Sequence, residues 1–230
     1  MGRTSDARER LIDATISLVW PASYGVVGVD AICEKAGVKK GSFYHFFSGK
    51  DELMVAALDA HWQNRRVGLD RVFSPSVPPL ERLQGYFAHV LQRQTEVQAK
   101  YGRILGCFHN SVATECIQSL PEIAAKVQEV LFSYRRYLES ALRDAQAAGD
   151  MRAGDPASDA KTLFAFVEGS LTQARIHDDL DILRRLPDGG FALLGITAPG
   201  APTPAARRPR PASKASATGK TSTSRKSARP

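Results

Sequence analysis

The 230-residue sequence has no long apolar run and only three cysteines. No stretch approaches the roughly 20 apolar residues that a membrane span needs, and the first ten residues are charged where a secretion signal needs an apolar core. We therefore expect a cytoplasmic protein with no membrane partner. Cys33, Cys107 and Cys116 cannot all pair with one another, and their spacing lacks the close pairs of zinc sites. The cysteines predict neither a disulfide scaffold nor a metal site.

The common motifs of catalysis are missing as well. The sequence has no glycine-rich phosphate loop, no Gly-x-Ser-x-Gly elbow and no His-Glu-x-x-His pair. We accordingly expect no enzyme, and we assign no catalytic residue, no cofactor and no metal ligand. An enzyme stays an alternative.

The net charge of +7 is distributed unevenly along the chain. Residues 198–230 hold eight basic and no acidic side chains, whereas the first 50 residues carry a net charge of only +2. These last residues contain no aromatic or large aliphatic side chain, so we predict a disordered basic tail. Two interpretations remain open for the tail. It is either an inert solubilising extension or a segment that attracts DNA phosphates without regard to sequence.

Apolar residues recur at helical spacing along most of the chain before the tail, and no strand pattern or internal repeat is evident. The sequence therefore predicts an all-α fold. A proline-rich cluster, Ser74-Pro75-Ser76-Val77-Pro78-Pro79, marks the most natural internal boundary. We predict a headpiece with its linking helix over residues 1–70, a second helical domain over residues 78–197, and the tail over residues 198–230.

The most informative stretch runs from Val29 to Leu53 and reads VDAICEKAGVKKGSFYHFFSGKDEL. Two short helices on either side of a turn at Gly37 describe a helix-turn-helix. In that motif the second helix enters the major groove of double-stranded DNA, and its first residues reach the base edges. This stretch contains hydrogen-bond donors, a glycine that allows the backbone to approach the DNA closely, and side chains that can bind phosphates. They are Lys39, Lys40, Gly41, Ser42, Tyr44, His45 and Lys50.

The same stretch resembles the headpiece of the TetR family of transcriptional regulators. The resemblance rests on a fixed spacing of matching groups: Ala31-Ile32, Ala36-Gly37-Val38, Gly41-Ser42-Phe43-Tyr44, Phe47 and Lys50-Asp51-Glu52-Leu53. It implies two domains of about nine helices, with Lys40, Ser42 and Phe43 on the recognition helix. It also implies phosphate contacts from Tyr44, His45 and Lys50. A core position for Phe43, and a helix-turn-helix that binds no DNA, are the alternatives.

The chain departs from the family pattern just before the second helix. Members commonly carry Thr-Ser or Thr-Thr there, whereas this chain has Val27-Gly28. A side chain that caps the helix and contacts phosphate is therefore expected to be missing.

The resemblance also implies that a small-molecule effector binds among the helices of the second domain. Aromatic and polar residues there are the candidates, although aromatics at helical spacing are more often core residues. Our ligand-binding candidates are Tyr86, Cys107, His109, Phe132 and Phe166.

Cys107 carries a more specific hypothesis. It lies in a segment predicted to be helical from Ile104 to Ile117, and the run Leu105-Gly106-Cys107-Phe108-His109-Asn110 resembles TetR relatives that respond to electrophiles through a cysteine. A nearby His109 or Arg103 would favour the reactive thiolate. The alternative is a buried structural cysteine.

Together these observations predict a ligand-responsive regulator, most simply a repressor that binds a palindromic operator as a homodimer and is released by a small molecule. The resemblance places the dimer contacts on residues Leu163 to Ile176 and Leu180 to Leu194. A nucleoid-like protein that binds DNA without sequence preference through its tail is the alternative from another class.

Overall fold

The computed structural model describes residues 2–196, and the predicted tail over residues 198–230 lies outside them. Ten helices and no strand are found within this range, which confirms the all-α prediction. They are α1 (Gly2–Val19), α2 (Val29–Ala36), α3 (Lys40–Phe46), α4 (Lys50–Val72), α5 (Pro79–Tyr101), α6 (Phe108–Cys116), α7 (Pro121–Ala148), α8 (Pro156–His177), α9 (Asp181–Arg184) and α10 (Leu186–Leu194). None of the described helices is long and apolar enough to cross a bilayer.

The ends of the helices follow local sequence signals. Gly37 adopts φ 62° and ends α2 with its N–H on the carbonyls of Cys33 and Glu34, a left-handed cap that suits glycine. The Asp155 side chain accepts a hydrogen bond from the N–H of Ala157 at the start of α8. At the start of α2, Gly28 provides no side-chain cap, as the departure from the family pattern predicted.

Two predicted helices are interrupted. The segment from Ile104 to Cys107 is not helical, and α6 begins only at Phe108. Gly106 adopts φ 68°, and its N–H and carbonyl both bond the Gln94 side chain at 3.0 Å, which holds the chain in a turn. The predicted final helix divides at Arg185 into α9 and α10. This break accounts for the tenth helix.

The apolar core has two parts, and their boundary does not follow the proline-rich cluster. The first part joins α1, α2, α3 and the first half of α4 to α6 and the start of α7. The second joins the end of α4 to α5, the rest of α7 and the last three helices. Because α4 belongs to both parts, the headpiece and the second domain are packed through a shared helix.

Candidate DNA interface and regulatory cavity

The helix-turn-helix places most of its predicted contact residues on the surface. Lys39, Gly41, Ser42, Tyr44 and His45 are all exposed. The Tyr44 side chain is 55% exposed although it is a large aromatic. Donors and a phenol are therefore available to an approaching duplex.

Lys40 is exposed too, but it already has a partner. Its Nζ lies 2.7 Å from Oδ1 of Asp30 on α2. Both side chains are more than half exposed, so the ion pair is weak and links α2 to α3 without removing the lysine from solvent. The carboxylate raises the pKa of Lys40, which keeps it charged.

Phe43 corrects one prediction. Its side chain is fully buried, with its ring centroid 5.0 Å from that of Tyr44 and 6.0 Å from that of Phe47. Residues of α3 that lie three or four apart share a face, and the face that carries Phe43 packs inward. Phe43 therefore belongs to the headpiece core and does not contact bases.

Lys50 holds the turn between α1 and α2. Its ammonium donates to the carbonyl oxygens of Tyr24 at 2.7 Å and Val27 at 3.0 Å, and lies 3.9 Å from the centre of the Tyr24 ring. The Tyr24 hydroxyl in turn donates to Asp51, and burial together with that carboxylate raises the Tyr24 pKa. One ammonium hydrogen of Lys50 remains, so phosphate contact stays a prediction beside this structural role.

A cavity of about 70 Å³ lies where α4, α5, α6, α7 and α8 meet the end of α1. Three of the predicted ligand-binding residues, Tyr86, Cys107 and His109, line it. The other lining residues are Trp20, His61, Arg65, Leu69, His89, Val90, Arg93, Gln94, Gly106, Phe108, Tyr134, Glu168 and Leu171.

Phe132 and Phe166 do not line this cavity. Phe132 is 54% exposed, with the Arg135 guanidinium 5.5 Å from its ring centre. Phe166 packs against the backbone at Gly189 on α10. Each precedes a lining residue, Tyr134 or Glu168, by two positions, which is about 200° around a helix. Both phenylalanines therefore face away from the cavity.

The cavity wall contains buried polar atoms that lack a hydrogen-bond partner among the residues described. Buried polar groups in folded proteins are nearly always paired, because an unpaired one costs its full desolvation energy. Such atoms at a cavity are the groups that a ligand would satisfy. They are Nε1 of Trp20, Nδ1 of His61, Nε of Arg93, Nδ1 of His109 and Oε2 of Glu168.

The titratable groups of the cavity are shifted towards their neutral forms. Burial lowers the pKa of His109 to about 4 and that of His61 well below its ordinary value. Burial also raises the pKa of Glu168 to about 7. The described residues include no group of three or more acidic, histidine or cysteine side chains that could hold a metal ion.

The surroundings of Cys107 contradict the expected activation of its thiol. Burial, and next the charge of Glu168, raise the Cys107 pKa well above its ordinary value. His109 is neutral and its Nε2 lies 3.1 Å from the Leu58 carbonyl oxygen, while Arg103 is exposed and lines no part of the cavity. Neither the His109 imidazole nor Arg103 favours a thiolate. The backbone N–H groups of Asn110 and His109 do lower the Cys107 pKa, but burial and the Glu168 carboxylate outweigh them.

The α4 helix connects the cavity to the headpiece. Lys50 at its first residue supports the turn before α2, whereas His61 and Arg65 line the cavity two or more turns later. Two contacts join the middle of α4 to the second domain. Nε2 of His109 lies 3.1 Å from the Leu58 carbonyl oxygen, and the Lys126 ammonium forms an ion pair with Oδ1 of Asp59 at 3.3 Å. The cavity and the headpiece therefore share one helix, α4.

Sequence reasoning missed several groups of the cavity, notably His61, Arg65 and Glu168. Glu168 carried a signal, because it directly follows the apolar run Leu163 to Val167. A carboxylate that continues an apolar stripe points to a buried polar site. His61 and Arg65 lie one turn apart on α4, and only the packing against α6 and α7 shows that they face a cavity.

Comparison with known proteins identifies the family. The chain matches the family described as bacterial regulatory proteins, tetR family, over residues 11–57, and the Tetracyclin repressor-like C-terminal domain over residues 79–188. It is 31% identical over 173 residues to the transcriptional regulator AcuR of Cereibacter sphaeroides, an alignment that covers 74% of this chain and 77% of that protein. The chain belongs to the TetR family of transcriptional regulators. Its helix-turn-helix is the DNA-binding headpiece of that family.

Other TetR-family proteins agree with this assignment. The transcriptional repressor NemR of Escherichia coli is 24% identical over 180 residues, which covers 77% of this chain and 88% of NemR. The crystal structure of the regulatory protein TetR from Rhodobacter sphaeroides is 29% identical, with a TM-score of 0.72 over 81% of this chain and 98% of that one. The reduced form of NemR from Escherichia coli shares the fold, with 23% identity and a TM-score of 0.73 over 85% of this chain and 100% of that one.

Proposed function

We propose that this TetR-family regulator is a repressor that binds a palindromic operator as a homodimer and releases it when a small molecule enters the cavity. The cavity, at about 70 Å³, must widen to admit the ligand, because small-molecule sites usually measure about 300 Å³ or more. The observation that carries the proposal is the course of α4. Its first residue supports the helix-turn-helix, and its second half lines a cavity whose polar atoms lack partners. The protein acts in the cytoplasm by binding, without catalysis.

The exposed residues of α3 would read the DNA. Lys39 and Ser42, at the start of the helix, donate to base edges or nearby phosphates, and Gly41 allows close approach of the backbone. Tyr44 and His45, one turn later, bind phosphates and set the position of the helix. Lys40 joins them by exchanging Asp30 for a phosphate, because an exposed ion pair is easily replaced.

A dimer would present two headpieces to successive major grooves about 34 to 36 Å apart. We place the dimer contacts on α8 and on α9 with α10, where Ile176 is 65% and Leu193 is 44% exposed. A ligand that changes the position of α4 alters the spacing of the headpieces. Reversing a 99:1 population requires about 5.5 kcal/mol of differential affinity.

Footprinting with competitor DNA of scrambled sequence tests the proposal. Protection of one palindromic site with two half-sites supports a sequence-specific dimer. Uniform protection along the fragment would instead favour a nucleoid-like protein and contradict the proposal. Light scattering on the same sample gives the oligomeric state.

The basic residues of 198–230 would add affinity for any DNA. Each neutralised phosphate releases counterions, so binding weakens with salt in proportion to the number of contacts. Removal of residues 198–230 should therefore reduce the slope of log affinity against log salt while the protected site stays the same. An unchanged slope would show that the tail is inert.

A further inference from the structure

A second and larger space opens between the headpiece and the second domain. This crevice has a volume of about 660 Å³, against about 70 Å³ for the cavity. One wall comes from α1 and α2, the floor from α4, and the other wall from the second half of α5. Its volume is in the range of small-molecule sites, roughly 300 to 1,000 Å³.

The crevice is lined by more positive than negative charge. Five cations face two carboxylates, Asp13 and Glu96, and Glu96 is already paired with Arg93. Arg10 is also paired, with Asp6 at 3.5 Å outside the lining, but both side chains are largely exposed, so this ion pair is weak. The cations are Arg10, Lys35, Arg65, Arg93 and Lys100. The remainder of the lining includes the neutral polar side chains Ser17 and Asn64. Positively charged side chains that line one concave site repel one another and attract anions.

Several of these cations lack a counter-ion. Lys35, Arg65 and Lys100 form no ion pair with any carboxylate in the described part of the chain. The Arg65 Nε donates only to Nε2 of His61 at 3.3 Å, and the Lys100 ammonium lies 5.1 Å from the Tyr101 ring centre. Burial, and next the charge of Arg93, lower the Arg65 pKa, as expected where positive charge is not neutralised.

Buried polar atoms without hydrogen-bond partners lie beneath the floor of the crevice. Trp20 and His61 line both the crevice and the cavity, and are only 6% and 9% exposed. Nε1 of Trp20, Nδ1 of His61 and Nε of Arg93 find no partner among residues 6–196. Burying such atoms unpaired is costly, so a bound group that accepts from Trp20 and Arg93 would stabilise this region.

We propose that the crevice is a second effector site, which binds a small organic polyanion bearing at least two carboxylate or phosphate groups. One acidic group contacts Arg10 and Lys35 on the headpiece wall, and another contacts Arg93 and Lys100 on α5. Such a ligand crosslinks the two domains and fixes the headpiece relative to α5. Its binding does not rest on the proposed function, whereas its effect on operator affinity does.

Tryptophan fluorescence tests binding directly. The chain has two tryptophans, and Trp62→Phe leaves Trp20 as the only reporter; Trp62 lies outside the crevice lining. Pyrophosphate and citrate, titrated at constant ionic strength, should change the Trp20 emission saturably, whereas acetate should not. Calorimetry on the unmodified protein repeats the measurement, so a poorly folded variant does not decide the result. Absence of saturable binding by calorimetry overturns the proposal.

Charge-neutral variants test the bridging geometry. Lys35→Gln on the headpiece wall and Lys100→Gln on α5 should each weaken pyrophosphate binding about tenfold, the usual effect of losing one charge-assisted contact. Arg143→Gln removes an equal charge from α7, where Arg143 is 61% exposed, and should leave binding unchanged. Equal weakening in all three variants would show diffuse attraction, and loss in only one wall variant would show that the ligand does not bridge. Either result contradicts the proposal.

Operator binding then tests the coupling between the domains. Pyrophosphate should change the operator Kd of the unmodified protein but not that of Lys100→Gln. The Lys39→Gln variant, altered at the DNA surface, should still respond. If pyrophosphate binds in the calorimeter and the operator Kd stays constant, the coupling is refuted. Footprinting is carried out without a polyanion, so it tests the proposed function separately from this proposal.

Discussion

The recognition corner, residues 39–50, and the cavity differ in the exposure of their polar groups. The corner keeps most of its polar groups exposed, apart from the Lys50 ammonium, and its residues come from one short stretch of chain. The cavity buries polar atoms without partners, and its residues come from the end of α1 and from five other helices. The exposed residues of the corner are held in place by the buried core beneath them. The cavity instead contains polar atoms without hydrogen-bond partners, to which a ligand would bind. Replacing a buried residue of the corner should therefore lower the free energy of unfolding, whereas replacing the buried carboxyl of the cavity should raise it at higher pH.

The largest expected effect separates two adjacent residues of the corner. Phe43→Ala removes a fully buried ring and should lower the free energy of unfolding by about 3–5 kcal/mol. Tyr44→Ala removes a ring that is 55% exposed and should change stability by about 0.5 kcal/mol or less. Urea denaturation measures both. Similar losses for the two variants would contradict the assignment of one to the core and the other to the surface.

This pair shows what the sequence could predict. The helix-turn-helix and its exposed residues follow from local spacing, because neighbours in sequence are neighbours in space. Whether Phe43 faced inward or towards the DNA was left open, because α3 is too short to show a clear apolar face. The cavity was harder still. Helical spacing alone does not tell which side of α7 or α8 carries the site, so Phe132 was predicted where Tyr134 lines the cavity.

The next effect concerns the buried carboxyl of the cavity. The pKa of Glu168 is raised to about 7, so the native state holds this proton more tightly than the unfolded chain does. Its contribution to stability is present below about pH 4.5 and is lost as the pH rises through 7. His61 and His109 have lowered pKa values and act in the opposite sense, destabilising the native state as the pH falls.

Glu168→Gln isolates the contribution of the carboxyl. Between pH 5 and pH 8 the stability of the variant should rise by about 2 kcal/mol relative to the unmodified protein. Unfolding free energies at the two pH values check this, with Glu122→Gln, an exposed residue of α7, as the control. A constant difference between the two proteins would show that Glu168 is not held neutral.

The same substitution also tests the protonation state of Cys107. Burial and the Glu168 charge keep the thiol protonated, so iodoacetamide should label it at least about tenfold more slowly than a free thiol at neutral pH. Glu168→Gln should speed the labelling, because one cause of the raised pKa is removed. Mass spectrometry distinguishes Cys107 from the other two cysteines. Rapid labelling of the unmodified protein would restore the thiolate hypothesis.

A smaller effect distinguishes two lysines of the corner. Lys50→Met loses two hydrogen bonds to carbonyl oxygens and should lower stability by about 1–2 kcal/mol. Lys39→Met should leave stability unchanged and reduce the salt slope of DNA binding by about 1. Denaturation and filter binding at several salt concentrations provide the two measurements. If Lys39→Met lowered the stability and Lys50→Met reduced only the salt slope, the roles of the two lysines would have to be exchanged.

Footprints of the unmodified protein and of Tyr44→Ala test most directly whether α3 reads the operator. The unmodified protein should protect one palindromic site against scrambled competitor, and Tyr44→Ala, equally stable, should lose that protection at the same concentration. A footprint that Tyr44→Ala leaves intact, or protection spread evenly along the DNA, would contradict the claim that this corner reads the operator.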